Sequence, residues 1–296
     1  MYKVVCFGEV LWDVFPTYKI IGGAPLNVAL RLQSLGINAS IISCIGDDKN
    51  GEEVINYCQD KAIDTSNLQV DASHNTGRVN VTLDEKGSPT YEITYPVAWD
   101  KIKVTSKAMA EVESADAFIF GSLACRDKVT KTTLLTLLRV AKYKVFDVNI
   151  RPPFYSIDLL LTLMKEVDFI KCNDEEIDEI CEALAFAGEA FEEKITFLAK
   201  YTQVGQICVT KGKDGAILFY NDTFYQNNGY QVRVADTVGA GDSFLAALIS
   251  KLLLGSNPEQ ALDFACAVGA LVASKKGANP DINTVEISNI ISSSSR

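Results

Sequence analysis

A glycine-rich turn with an acid behind it occupies residues 236–244, Asp-Thr-Val-Gly-Ala-Gly-Asp-Ser-Phe, and leads into a long apolar helix. Backbone N–H groups at a helix start are unpaired and carry a partial positive charge. Gly239 and Gly241 would let an anion approach those groups, because no Cβ intrudes. Asp242 then lies within one turn of the anion, where a carboxylate could take a proton from an attacking hydroxyl. An anion site beside a base is what phosphoryl transfer needs.

Simpler interpretations of this segment remain open. A Gly-Ala-Gly before a helix is often only a tight turn, and an acid in the first helical turn often only complements the helix dipole. A dinucleotide-binding turn is disfavoured, because that fingerprint needs a small residue where Phe244 stands. The phosphate-binding pattern Gly-x-x-x-x-Gly-Lys-Ser/Thr does not occur in the chain.

A second segment, residues 22–29 (Gly-Gly-Ala-Pro-Leu-Asn-Val-Ala), places two glycines, a proline and an asparagine before an amphipathic helix. Taken alone, it is equally compatible with a plain loop and helix start, with Pro25 in the first turn.

The elements that must position these residues alternate between short apolar runs and helical patterns. Strands are predicted at 39–45, 117–120, 144–148, 168–171 and 206–209, and helices at 26–35, 52–62, 130–141 and 156–167. This alternation predicts an α/β fold with a mostly parallel sheet and helices on both faces. Residues 77–84 and 89–95 instead alternate with period two around a turn at 85–87, which predicts a hairpin. We expect it to pair with residues 11–15 as a small antiparallel lid over the carboxyl ends of the parallel strands.

The composition is ordinary for a globular enzyme, with 296 residues of which 48% are hydrophobic and 22% charged. A formal net charge of −10 argues against nucleic-acid binding. No apolar run is long enough for a membrane span, and the N-terminus lacks the layout of a signal peptide. The eight cysteines form no Cys-x-x-Cys pair and lie mostly in apolar surroundings, which favours reduced thiols in the cytoplasm.

Together, the two glycine segments resemble both signatures of the ribokinase-like (PfkB) carbohydrate kinase family, in the right order and separation, and the resemblance covers essentially the whole chain. Within the family, the chain is most similar to bacterial fructokinases. The marks are the segments Gly8–Asp13, Tyr95–Asp100 and Phe146–Pro153. The resemblance implies a ribokinase-like fold, with a single domain over residues 1–296 into which lid segments at about 11–21 and 76–98 are inserted.

The resemblance also implies roles for individual residues. Asp242 matches the family's catalytic base, and the N–H groups of Gly239, Ala240 and Gly241 match those that stabilise the moving phosphoryl group. Residues that match the sugar site are Asp13, Gly22, Gly23, Asn27 and Trp99, together with Asp242. Residues that match the nucleotide site are Asn173, Thr210, Lys211, Gly212, Gly215 and Cys266, together with Gly239 and Gly241.

Two of these assignments have equally plausible structural alternatives. Asn173 and Glu176 match the Asn-x-x-Glu motif that positions Mg²⁺ through water, but the same spacing is that of a helix capping box. Arg151 suits the sugar or the transferred phosphate because guanidinium binds oxyanions, but a structural salt bridge would also explain it.

The expected function is ATP-dependent phosphorylation of a primary hydroxyl of a free sugar, most favourably fructose to fructose 6-phosphate. Mg²⁺ is expected with ATP, a monovalent cation such as K⁺ near Asp236, and a homodimer through the β lid. Alternatives are a kinase of ketodeoxygluconate, ribose or a nucleoside, or a non-catalytic sugar-binding protein that keeps the fold. A nicotinamide-dependent dehydrogenase is already disfavoured by Phe244.

Overall fold

The computed structural model describes residues 2–83 and 89–293. Thirteen strands lie in these ranges: β1 (Lys3–Phe7), β2 (Leu11–Val14), β3 (Lys19–Gly22), β4 (Asn38–Gly46), β5 (Asp64–Asp71), β6 (Gly77–Leu83), β7 (Pro89–Ile93), β8 (Ala117–Gly121), β9 (Lys144–Asp147), β10 (Phe169–Asn173), β11 (Gln206–Thr210), β12 (Ala216–Tyr220) and β13 (Thr223–Asn227).

Ten α-helices connect the strands within the same ranges: α1 (Ala24–Ser34), α2 (Lys49–Asp60), α3 (Ser106–Ser114), α4 (Lys128–Leu137), α5 (Ile157–Met164), α6 (Asp174–Ala183), α7 (Phe191–Thr202), α8 (Ala240–Leu253), α9 (Pro258–Ala273) and α10 (Thr284–Ser293). Several begin where the sequence supplies a cap. Asp48 accepts a hydrogen bond from the Gly51 N–H at the start of α2, and Ser156 caps α5 in the same way. Among the described residues, no helix combines the length and the apolar character needed to cross a membrane.

The larger sheet has nine strands in the order β13-β12-β11-β10-β9-β8-β1-β4-β5. The strands from β11 to β5 pair in parallel, and β12 and β13 add an antiparallel edge. The predicted mostly parallel sheet is therefore confirmed. The chain builds outward from β1 to both sides, so the crevice at the carboxyl ends of the central strands is the expected ligand position.

Both faces of this sheet are covered, which explains the nearly unbroken apolar runs in its strands. In β1, Val4 and Cys6 belong to a core cluster with α1, α8 and α9, whereas Val5 and Phe7 belong to the cluster on the opposite face. Successive side chains of a strand point to opposite faces, so one short apolar run contributes to two cores.

The smaller sheet has four strands in the order β3-β2-β6-β7, and these strands fall in the two predicted lid segments. The outer pairs β2–β3 and β6–β7 are antiparallel, as expected for hairpins, while the central pair β2–β6 runs parallel. The predicted pairing of the hairpin with residues 11–15 is confirmed. The predicted turn at 85–87 lies outside the described residues.

Candidate active site

A cavity of about 520 Å³ opens at the carboxyl ends of the central strands, beneath the smaller sheet. Its apolar wall comes from that sheet, with Leu11, Ile20, Val79, Tyr91 and Ile93. Its polar wall comes from residues at or just after strand ends, including Glu9, Asn149, Asn173 and Thr210, and from the start of α8. This size and the mixture of apolar walls with a few polar groups are typical of a small-molecule site.

The start of α8 forms one end of the cavity. Gly239 has φ 74°, and a Cβ there would collide with the backbone of Ala278, so only glycine suits this position. The Ala240 N–H donates to the Thr237 carbonyl oxygen at 3.2 Å. In the first helical turn, the N–H groups of Gly241 and Asp242 have no partner within the helix. Of the predicted donors Gly239, Ala240 and Gly241, the Ala240 N–H is therefore already engaged by Thr237, and an anion site at this helix start stays a prediction.

Asp242 stands beside that helix start and is partly buried. Its Oδ2 accepts a hydrogen bond from Asn27 Nδ2 at 2.8 Å. Burial, and after it the negative charge of Asp147, raises the pKa of Asp242 from 3.8 to about 6, against the opposing effects of the Asn27 hydrogen bond, Lys171 and Arg151. The carboxyl group is thus ionised near neutral pH but binds a proton more readily than an exposed aspartate does, as suits a general base.

Asn27 connects the two signature segments. Its Oδ1 accepts from Asn279 Nδ2 at 2.7 Å, so both ends of the side-chain amide are held and its orientation toward Asp242 is fixed. Gly23, at the N-terminal end of α1, has φ 107°, and a Cβ there would collide with the Glu9 carbonyl oxygen. The glycine therefore allows α1 to start close to the loop after β1, which brings Asn27 to the cavity.

Asp13 lies in β2 and lines the cavity. Burial raises the pKa of Asp13 to about 6. A Cβ on Gly22 would come within 2.8 Å of Asp13 Oδ2, so this glycine leaves room for the carboxyl group. Gly22 does not line the cavity itself, and its contribution is the space that it leaves for the Asp13 carboxyl group.

Lys171 is a cavity residue that the sequence reasoning missed. It belongs to β10, and its Nζ donates to Asp147 Oδ1 at 2.9 Å. Although burial opposes the charged form, the carboxylates of Asp147, Glu176 and Asp242 raise the pKa of Lys171 above its ordinary value. An ideal Cβ on Gly241 would lie 3.5 Å from Lys171 Nζ, so the ammonium group faces the start of α8. The sequence signal that could have identified Lys171 is a lysine within an otherwise mostly apolar strand.

Asn173 and Glu176 form the capping box that the sequence offered as one alternative. Asn173 Oδ1 accepts from the Glu176 N–H at 2.7 Å, and Glu176 Oε2 accepts from the Asn173 N–H at 2.8 Å. Glu176 Oε1 also accepts from the Ile150 N–H at 2.8 Å. Both residues also line the cavity, so the capping box does not exclude the predicted role toward a ligand.

These acidic groups suit a hydrated Mg²⁺ better than a metal held directly by the protein. In residues 2–83 and 89–293, no group of three or more His, Cys, Asp or Glu side chains has the geometry of a metal site. Asp147 Oδ2 is buried and has no hydrogen-bond partner among these residues. Mg²⁺ prefers oxygen and keeps several of its waters, so the cavity-lining residues Asn173 and Glu176 could bind its water ligands.

Asp236 holds the loop before α8 in place. Its Oδ1 accepts from the Val238 N–H and its Oδ2 accepts from the Gly277 N–H, both at 3.0 Å. The carboxylate thereby joins the 236–239 loop to the turn that carries Ala278, against which Gly239 packs. Asp236 also lines the cavity.

Arg151 and Glu9 both line the cavity but differ in exposure. Arg151 is exposed, and its Nη1 donates to the Ile150 carbonyl oxygen at 2.8 Å. Glu9, a second residue that the sequence reasoning missed, is 2% exposed. Burial raises the pKa of Glu9 to about 7, even though Arg151 and Arg126 favour its charged form.

The structure contradicts the assignment of Trp99 to the sugar site. Trp99 is fully buried, and the guanidinium of Arg126 stacks 3.8 Å from its ring centre. It packs with Val97 and Leu123 in a small apolar cluster next to the smaller sheet. The tryptophan therefore belongs to the core that supports the lid and does not line the cavity.

The residues predicted to hold the nucleotide divide into two groups. Thr210, Asn173, Gly239 and Gly241 line the cavity. Lys211, Gly212 and Gly215 lie in the turn between β11 and β12, outside the cavity lining, and Cys266 is buried in α9. For both groups a nucleotide contact remains a prediction.

Comparison with known proteins places this geometry in a family. The model of the family described as pfkB family carbohydrate kinase matches residues 1–285. Fructokinase-2 of Zea mays is 28% identical over 311 residues, which covers 95% of this chain and 91% of the relative.

Solved structures are similar over almost the whole chain. A double mutant of the fructokinase of Vibrio cholerae, bound to fructose, ADP and potassium ion, has a TM-score of 0.84 at 23% identity and covers 98% of both chains. The ATP-bound fructokinase of Xylella fastidiosa has a TM-score of 0.88 at 21% identity and covers 99% of both chains. At such identities these likenesses establish the fold, which is the ribokinase-like arrangement expected from the sequence.

Proposed function

Because the chain belongs to the pfkB family of carbohydrate kinases, we propose that it transfers the γ-phosphoryl group of ATP to a primary hydroxyl of free fructose, giving fructose 6-phosphate. One observation carries the mechanism. The Asp242 carboxylate, held by Asn27, stands at the start of α8 with Lys171 Nζ beside Gly241. A base, unpaired N–H groups and a buried cation thus converge on one end of the cavity.

In the proposed reaction, the sugar hydroxyl approaches Asp242, which accepts its proton as the oxygen attacks the γ-phosphorus. The bond from the phosphorus to the bridging oxygen breaks in line, and ADP leaves. The N–H groups of Gly241 and Asp242 and the ammonium of Lys171 stabilise the negative charge on the transferred group. Bound Mg²⁺ would neutralise charge on the β- and γ-phosphates, and Asn173 and Glu176 would hold its waters.

Asp13, Asn27 and Glu9 suit an uncharged sugar. Carboxylate and amide groups hydrogen-bond to hydroxyls, whereas carboxylates at the sugar end oppose a substrate that is itself anionic. Fructose is favoured because the maize relative is a fructokinase and because the three marks noted in the sequence follow the fructokinase pattern. The cysteines of the described chain are free and buried, which supports action in the cytoplasm.

A substrate panel tests this proposal. We expect ADP release with ATP and Mg²⁺ to give a kcat/KM for fructose at least roughly tenfold above that for ribose, ketodeoxygluconate, adenosine or fructose phosphates. Replacing Asp13 with Ala should raise the fructose KM while the ATP KM stays nearly constant. If another acceptor gives a higher kcat/KM, the fructose assignment is wrong. If no acceptor is phosphorylated, the chain is a non-catalytic member of the family.

A monovalent cation such as K⁺ is proposed near Asp236. Asp236 fixes the loop that carries the anion site, and the Vibrio structure contains potassium ion. We expect activity to be higher in KCl than in an equal concentration of choline chloride. Equal rates in the two salts would contradict a potassium site.

A homodimer through the smaller sheet is also proposed. That sheet exposes Tyr18 and Tyr91, each more than half accessible, and a sheet of four strands has open edges and little core of its own. Light scattering at micromolar concentration should give twice the chain mass, and Tyr91→Lys should lower it. A fully active monomer would contradict this assembly.

A further inference from the structure

Two asparagine side chains link the catalytic base to a turn outside the cavity, and we call this pair the amide bridge. Asn279, in the connection between α9 and α10, donates from Nδ2 to Asn27 Oδ1 at 2.7 Å. Asn27 in turn donates from Nδ2 to Asp242 Oδ2 at 2.8 Å. Asn27 and Asp242 line the cavity, whereas Asn279 does not. The proposed reaction therefore leaves Asn279 without a role, although it binds the side chain that holds the base.

The direction of the amide bridge is set at both of its ends. The ionised Asp242 carboxylate has only acceptors, so it selects the Nδ2 end of the Asn27 amide. Rotation of that amide by half a turn would place Oδ1 against the carboxylate, where two acceptors repel each other. The Asn279 Nδ2 group opposes the same rotation, because it needs an acceptor opposite. Asn279 thus favours the orientation in which Asn27 stabilises the charged form of the base.

Attachment of the turn to the rest of the protein does not by itself account for Asn279. The turn is also held by Arg31, whose Nη2 donates to the Pro280 carbonyl oxygen at 2.9 Å, and by the Gly277 N–H, which donates to Asp236 Oδ2 at 3.0 Å. Asn279 Oδ1 is buried and makes no hydrogen bond to any residue that the structure describes. An apolar side chain of similar size would avoid that unmade bond. The bond that Asn279 Nδ2 donates is therefore what the amide contributes.

We propose that Asn279 is a positioning residue, which holds the Asn27 amide in the orientation that donates to the catalytic carboxylate. This inference rests on the proposed function. Burial, and after it the charge of Asp147, raises the pKa of Asp242, whereas the Asn27 hydrogen bond lowers it. Without Asn279, Asn27 holds the carboxylate less well, so the pKa of Asp242 rises and the base is ionised only at higher pH.

A neutral replacement of Asn279 leaves the charges around the base unchanged. The charged side chains on the elements around Asp242 are Asp147, Lys171, Arg151, Glu9, Asp13 and Arg31. Because Asn279 is uncharged, an uncharged side chain in its place adds nothing to this set. A change in the pKa of Asp242 then reports the hydrogen bonds of the amide bridge.

The test replaces Asn279 with Leu, which has a similar size but no donor. With fructose and ATP, we expect the acid limb of kcat/KM to move about 0.5–1 pH unit higher, because one hydrogen bond to a charged group weakens. At pH 8, kcat should fall about 2–10-fold, since the carboxylate is less well oriented, while the ATP KM stays within about twofold.

Asn67→Leu is the matched control. Asn67 is also buried, and its Nδ2 makes no hydrogen bond within residues 2–83 and 89–293, but it lies on β5 and does not line the cavity. This variant should keep the wild-type kcat and the wild-type acid limb, whatever its melting temperature.

The double variant Asn27→Leu/Asn279→Leu separates positioning from a structural role. Asn27→Leu removes the middle of the amide bridge, so it should move the acid limb by itself, and adding Asn279→Leu should move it no further. A carbon-13 NMR titration of protein labelled at the aspartate carboxyl carbons measures the same shifts without substrate. The Asp242 signal is assigned by its absence in Asp242→Asn, and melting temperatures show that each variant folds.

A folded Asn279→Leu variant with the wild-type acid limb and the wild-type titration of Asp242 would overturn this inference and leave the proposed function intact. A further shift in the double variant would also overturn it, because Asn279 would then act without Asn27. If Asn279→Leu does not fold, the same criteria apply to Asn279→Ala. If wild-type protein phosphorylates no acceptor, the proposed function fails, and the titration alone decides whether Asn279 controls the Asp242 carboxyl group.

Discussion

Asp242 carries the proton transfer of the proposed reaction, and its contacts predict the effect of replacing it. Asp242→Asn keeps a side-chain oxygen that can accept from Asn27 but removes the base. We expect kcat to fall about 10²–10⁴-fold, with ATP binding retained. Near wild-type turnover in this variant would exclude Asp242 as the base.

The pH dependence follows from the raised pKa of Asp242. The base must be ionised, so kcat/KM should be constant above pH 7 and should fall about tenfold per pH unit below about pH 6. The acid limb should persist in Asp13→Asn and Glu9→Gln, whose own acids also titrate near this range. A profile that stays flat to pH 5 would contradict the assignment.

Lys171 provides a second residue-scale prediction. Its Nζ is bound to Asp147 and faces Gly241, so Lys171→Met removes one cation from the transferred phosphoryl group. We expect kcat to fall about 10²–10³-fold, as for the loss of one donor to a developing charge. Lys142→Met, which removes an exposed lysine outside the cavity lining, is the control and should remain fully active.

At the scale of elements, the ion pair of Asp100 and Arg126 anchors the segment that follows the lid. Asp100 is fully buried, and Arg126 contacts the rings of Trp99, Phe154 and Tyr95. Asp100→Leu would leave the guanidinium charge buried and uncompensated. We expect the free energy of unfolding to fall by about 3–5 kcal/mol, measured by urea denaturation.

The double variant Asp100→Leu/Arg126→Met supplies the control, because it removes both charges and should recover much of the loss. The same cluster tests the corrected position of Trp99. Trp99→Phe should lower the melting temperature and change the fructose KM by less than about threefold. A raised fructose KM with an unchanged melting temperature would instead indicate that Trp99 contacts the sugar.

At the scale of the whole molecule, three acidic side chains of the cavity lower the free energy of unfolding of this carbohydrate kinase at neutral pH. Glu9, Asp13 and Asp242 have pKa values of about 7, 6 and 6, all above those of an unfolded chain. The folded protein therefore binds protons more tightly than the unfolded chain between about pH 4 and 7, and its stability falls as pH rises through that window.

Removing one of these charges should stabilise the protein. In the absence of ligands at pH 7.5, Asp242→Asn should unfold with a free energy higher by on the order of 1–3 kcal/mol, and its melting temperature should rise by a few degrees. The gain should vanish near pH 4. Glu189→Gln, at an exposed loop position, should show no such difference, and an unstabilised Asp242→Asn would contradict this account.

The sequence by itself determined the features that depend on neighbouring residues. The alternation of strands and helices, the hairpin at 77–95 and the helix start at Gly239 were all predicted, because periodicity, turn chemistry and unpaired N–H groups are local properties. The same holds for the capping box of Asn173 and Glu176. The spacing of these two residues predicted their hydrogen bonds, although it left open whether they also bind a ligand.

Only the tertiary structure decided which distant side chains share the cavity. Lys171 reaches Gly241 because β10 ends beside the start of α8, and Glu9 joins the cavity lining because the backbone after β1 lies against the start of α1. Trp99 was misplaced because its sequence neighbours resemble a binding motif, whereas its ring is enclosed by Arg126 and Leu123. Burial and strand order set these outcomes, and both depend on how elements far apart in the chain pack together.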